Sequence, residues 1–146
     1  MTNIQWSNYN KDLSIKDIAK ALRSDFKSIL PTIKLSIRVD NYQWWSSINI
    51  EIKDWFNYSI YRRDEAEDTI YHTKAASEIK KIIEDQLSSY NYDRWDSMSD
   101  YFDVNFYSNI TFDYDLYDNV PVLPDNKNSD TIEAEDLDNF LNQIGR

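Results

Sequence analysis

The sequence predicts a small α+β domain: an antiparallel sheet of three to four strands with two helices packed on one face, in the order helix-strand-strand-helix-strand, followed by an acidic C-terminal tail with a short helix. Three observations predict it. Residues 33–52 and 101–113 alternate apolar and polar side chains with a period of two, residues 14–30 and 73–90 repeat apolar residues at helical spacing, and the last quarter breaks both patterns while collecting acids.

The elements follow in order. Residues 1–12 read as irregular, with Trp6 and Tyr9 expected to fold back onto the domain. Ser14 is the N-cap of the first helix, and Asp17 completes a capping box with Asp in place of Glu. Ile15, Ile18, Ala19, Leu22, Phe26, Ile29 and Leu30 form its apolar stripe, and Pro31 ends it. Lys16, Lys20, Arg23 and Lys27 make a basic row on the other side, readable as a solvated face or as a docking stripe for an anion or an acidic partner. Ile33, Leu35, Ile37 and Val39 define one strand, Ile48, Ile50 and Ile52 the next, and residues 40–46 join them as a hairpin loop. Trp44 and Trp45 sit at or near its tip. Neighbours on a strand face opposite ways, so at most one enters the core. Either the other lies over the edge or it is an exposed anchor for a partner.

Trp55, Phe56, Tyr58 and Tyr61 form an aromatic cluster, and Arg62–Asp68 reads as a solvated loop or helix start. The second helix begins near Thr73 and runs to about Ser89, with Ala76, Ile79, Ile82, Ile83, Leu87 and Tyr90 inward. A polar loop with Trp95 leads to the strand Tyr101–Asp113, whose length and alternation place it at the centre of the sheet. Pro121 and Pro124 stop the pattern. A linker follows, then an acidic helix over 133–144 with Leu137, Phe140, Leu141 and Ile144 as a narrow stripe. The domain boundaries drawn are 1–118 for the α+β domain and 119–146 for the acidic linker and helix.

Composition narrows the chemistry. The chain has 146 residues, enough for one domain with a buried core. It has no cysteine, which excludes disulfides and thiolate zinc sites and favours a cytoplasmic setting in a host cell. Its single glycine, Gly145, excludes glycine-rich phosphate loops. No stretch is apolar enough for a membrane span or a signal peptide. The net charge is −10, and residues 113–146 hold nine acids against two bases, a field that repels nucleic acid and attracts basic surfaces.

Residues 13–27 (LSIKDIAKALRSDFK), 33–42 (IKLSIRVDNY), 46–50 (SSINI) and 96–107 (DSMSDYFDVNFY) together resemble a large polyvalent protein-associated domain of phages and mobile elements. The resemblance spans roughly residues 13–113. The hairpin tip differs from it, carrying Gln43, Trp44 and Trp45 where small residues are expected, and the acidic tail lies outside it. The family implies no catalytic residues. It implies a setting, that of mobile DNA acting against host defences.

The residues themselves point away from catalysis. His72 is the one histidine, and no nucleophile-elbow motif accompanies it. Asp100, Asp103, Asp113, Asp115 and Asp118 could chelate Mg²⁺ or Ca²⁺, but the spacing and glycine of a calcium loop are missing. No catalytic residue, metal or cofactor is therefore assigned. The expected function is a non-enzymatic anti-defence inhibitor. It binds a host defence nuclease, a Cas9-like CRISPR effector protein or its complex with guide RNA, and contacts no nucleic acid directly. DNA-mimicking acids and steric contacts do the blocking. The residues assigned to the partner are Trp44, Trp45, Asp113, Asp115, Asp118, Glu133, Glu135, Asp136 and Asp138. An accessory module of phage replication or DNA transfer is the alternative, and a metal-dependent nuclease is disfavoured. Deleting residues 119–146 is expected to leave the domain folded while weakening target binding.

Overall fold

The computed structural model describes residues 12–42, 45–53, 55, 60–64, 69–91, 106–113, 123–124 and 127–145. Among these, the chain is α+β, with α1 (Ile15–Ile29), β1 (Leu35–Asn41), β2 (Ser46–Ile52), β3 (Tyr61–Asp64), β4 (Thr69–His72), α2 (Lys74–Ser89), β5 (Tyr107–Phe112), β6 (Leu123–Pro124) and α3 (Lys127–Gln143).

Helix α1 starts where its cap chemistry dictates. The Ser14 hydroxyl accepts from the Asp17 N–H (3.1 Å), and the Asp17 carboxylate accepts from the Ser14 N–H (3.3 Å), so two orphan donors are satisfied reciprocally. Ile18, Ala19, Leu22 and Phe26 are buried along its stripe. Thr73 caps α2, accepting from the Ala76 N–H, and α2 buries Ala75, Ala76, Ile79, Ile82, Ile83 and Leu87. Asp25 of α1 joins the two helices, accepting from the Tyr90 hydroxyl (2.5 Å) and the Gln86 amide (2.9 Å).

The main sheet has the order β1-β2-β5. It corrects two expectations. The pairing is mixed, because β1 runs antiparallel to β2 while β5 runs parallel to it. Among the described residues, the strand predicted over Tyr101–Asp113 is an edge strand, seen as Tyr107–Phe112, and the central position belongs to β2; residues 101–105 lie outside the described ones. The connection explains the direction. Between β2 and β5 the chain passes through β3, β4 and α2, the long crossover that a parallel pair needs. Asn91, just past α2, fixes the entry to β5: its side-chain amide donates to the Phe106 carbonyl (2.8 Å) and accepts from the Phe106 N–H (3.2 Å).

The register aligns one apolar face. Leu35, Ile52 and Phe112 share a row, as do Ile37, Ile50 and Ile110. Ile48, Ile50 and Ile52 are essentially inaccessible and join the α1 and α2 stripes in one core cluster.

A smaller sheet, β4-β3-β6, includes Arg62–Asp64, the start of the run read as a solvated loop or helix start; residues 65–68 lie outside the described ones. Tyr61–Asp64 and Thr69–His72 pair antiparallel, and β6 adds in parallel to β3. Helix α3 starts earlier than the helix expected over 133–144 and lies against α2. Phe140 is fully buried in the main core, its ring 5.4 Å from that of Trp55. Residues beyond the boundary drawn at 118/119 thus contribute to the same core as those before it. Among the described residues, no helix is long and apolar enough to cross a membrane.

Candidate functional site: an aromatic corner on an open sheet face

Strand alternation decides what the open face carries. With Leu35, Ile37, Ile48, Ile50 and Phe112 turned to the helices, their neighbours must face the other way. The register assembles these neighbours into rows: Asp40, Ser47 and Tyr107; Arg38, Asn49 and Asn109; Ser36, Glu51 and Thr111.

The rows are hydrogen bonded across the strands. The Asn109 side-chain amide donates to Asn49 (2.9 Å), and Asn49 donates in turn to Asp40 (2.8 Å) and to the Ser47 hydroxyl (3.3 Å). Each amide keeps further donor or acceptor capacity. A depression of about 210 Å³ lies among Arg38, Asn49, Glu51, Asn109 and Thr111.

One end of this face is aromatic. The Tyr42 N–H donates to the Trp45 carbonyl (2.8 Å), closing the hairpin and bringing the two rings together. Their centroids lie 4.3 Å apart, and Tyr107 of β5 meets Trp45 edge-on at 6.0 Å and 82°. All three rings remain open to solvent, Tyr42 at 53%, Tyr107 at 46% and Trp45 at 45%. At the other end, Lys53 bridges Glu51 (2.5 Å) and Asp113 (3.3 Å). Its pKa is raised, first by the hydrogen bond to Glu51 and then by that to Asp113.

The expected partner residues are distributed unevenly. Trp45 is on the surface at the aromatic corner. Asp113 is half-buried at the far end of the same sheet, paired with Lys53. Trp44, Asp115 and Asp118 lie outside the described residues. On α3, Glu135 and Asp138 are exposed and Asp136 is half-buried. Glu133 is corrected: it is 4% exposed and turned inward. One of its carboxylate oxygens accepts from Arg62 (2.7 Å), the other from the Lys74 N–H at the first turn of α2 (2.8 Å). A buried guanidinium and a helix N-terminus together draw this acid into the structure. These acids sit on a helix that lies against α2, whereas the aromatic corner is built from β5 and the β1–β2 hairpin.

His72 lies beside Tyr61, ring centroids 5.0 Å apart, and 6.4 Å from Phe112. Burial, and secondarily the charge of Lys80, lowers its pKa, so the neutral ring is favoured. Among the described residues, no group of three or more His, Asp or Glu is arranged to hold a metal ion.

Sequence reasoning missed Tyr42 and the Asn49–Asn109 ladder. Tyr107 falls on the polar side of its strand's alternation, but only the parallel register with β2 places it beside Trp45. Comparison with protein-family models, characterised proteins and solved structures gives no match.

Proposed function

We propose that the chain acts by binding another macromolecule, as a non-enzymatic anti-defence inhibitor carried by a phage or mobile element. Its target is a host defence nuclease, a CRISPR effector of the Cas9-like kind. The observation that carries the binding role is Trp45, held half-exposed between Tyr42 and Tyr107 beside a polar sheet face. Rigid aromatics supply contact area at low conformational cost, and the surrounding amides supply adaptable hydrogen bonds. The choice of target rests on the family resemblance and on the charge of −10, which suits a partner with a basic groove.

The electrostatic share of the contact falls to Glu135, Asp136 and Asp138, since Glu133 is engaged within the fold. Blockade is steric first: a body docked through its aromatic corner covers the groove, and the acids of α3 add long-range attraction.

Affinity purification of the intact protein from host cells tests this. Recovery of a defence nuclease, reduced by Trp45→Ala, is the expected result. Recovery of replication or conjugation proteins instead, or intact interference in cells expressing the protein, contradicts it.

A further inference from the structure

We propose that the outer edge of β1 accepts an extended acidic peptide as an added strand, one apolar side chain of which enters the cleft between α1 and β1. This surface is separate from the aromatic corner.

Pairing with β2 fixes which backbone groups are available. The Lys53 N–H donates to the Lys34 carbonyl (2.9 Å) and the Tyr42 N–H to the Trp45 carbonyl. The even-numbered residues of β1 are therefore those bonded to β2, and Leu35, Ile37 and Val39 turn their N–H and C=O groups outward. The Ile37 carbonyl is on that outer side, where Arg23 of α1 donates to it (3.0 Å). Among the described residues, no strand pairs with this edge. Its alternating donors and acceptors complement a peptide backbone, whereas a phosphate backbone offers acceptors alone.

The cleft beside the edge has a volume of about 290 Å³ and suits one apolar side chain. Phe26, Leu30 and Ile33 contribute apolar walls; Arg23, Lys27 and Lys34 are the charged residues of its lining, and no acid is among them. Lys16 and Lys20 continue the positive row along α1. In a chain of net charge −10, this concentration of exposed cations beside the β1 edge selects an acidic segment. Arg23 has a double use. It covers the Ile37 carbonyl when the edge is empty, and a peptide N–H that replaces it frees the guanidinium for a carboxylate of the incoming strand.

The test uses the full chain and a fluorescein-labelled heptapeptide of alternating glutamate and leucine, followed by anisotropy. Saturable binding is expected. The double reversal Arg23→Glu with Lys27→Glu, at exposed positions, weakens it by about tenfold or more. Methylating alternate backbone amides of the peptide abolishes binding to the unaltered protein, which keeps the test independent of how any variant folds. Trp45→Ala leaves peptide binding unchanged. Absence of saturable binding overturns the proposal. So does equal binding of the methylated peptide, which would show mere charge attraction. Displacement of the peptide by a more tightly bound single-stranded oligonucleotide would assign the surface to phosphate instead and equally overturn it.

Discussion

At the scale of single residues, Arg62 does the most to tie distant parts of the chain together. Its guanidinium reaches Asp130 (2.6 Å) and Glu133 (2.7 Å), and Glu133 passes the contact on to the first turn of α2. The two acids differ in burial: the Asp130 side chain is 73% exposed and that of Glu133 is 5% exposed. Glu133→Ala removes the buried partner and is expected to cost about 3 kcal/mol, while Asp130→Ala costs at most about 1 kcal/mol, read from urea unfolding. Equal effects would show that burial does not set the strength of this cluster. Nothing in the sequence announced it. Arg62 opens a run of mixed charges that looks solvated, and its buried partner is 71 positions away. Tyr90 makes a second prediction. Burial first, and then its hydrogen bond to Asp25, pushes its pKa up to about 12. The folded state thus holds the phenolic proton more tightly than the unfolded chain, whose value is near 10. This stability is fully present below about pH 10 and is lost as the pH rises through about 12. Tyr90→Phe should flatten that alkaline decline in a denaturation series, and an unchanged decline would assign it to other groups.

At the scale of elements, the helices and the β1–β2 hairpin were legible because their signals are local. A cap, a stripe and a two-residue alternation lie within each segment, and Ser14→Ala should cost about 1 kcal/mol by removing half of the capping box. The direction of β5 was not legible, since the crossover path sets it and the strand's own residues do not. Strands β3 and β4 are four residues each, too short to carry a period through the charges between them. Helix α3 shows what a narrow stripe can hide. Leu137, Phe140, Leu141 and Ile144 make only a narrow stripe, yet Phe140 is fully buried beside Trp55 in the core. Gly145, with φ of 78°, takes the left-handed conformation just after the helix. Deleting residues 119–146 should therefore destabilise the whole domain, in contrast to the intact fold expected from sequence. Phe140→Ala alone should cost about 3–5 kcal/mol in the same urea assay. A truncated protein with an unchanged unfolding midpoint would return α3 to the status of a tail.

At the scale of the whole molecule, the sheet separates two kinds of surface. Its inner face gathers the helices into one core, while its outer face holds amides, mixed charges and an aromatic end. Of the acids that dominate the net charge, those described on α3 include the exposed Glu135 and Asp138, on a helix that lies against α2. Attraction through them should be salt-dependent, whereas contact through Trp45 should not. Docking through the aromatic corner is the proposed mode of action. It is tested most directly by titrating a Cas9-like CRISPR nuclease, with its guide RNA, with the protein and with Trp45→Ala, in the presence of target DNA. Inhibition of cleavage by the unaltered protein is expected, with a loss of at least about tenfold in potency for the variant at an unchanged unfolding midpoint. Unimpaired cleavage at saturating protein, or equal potency of a folded Trp45→Ala variant, would contradict it.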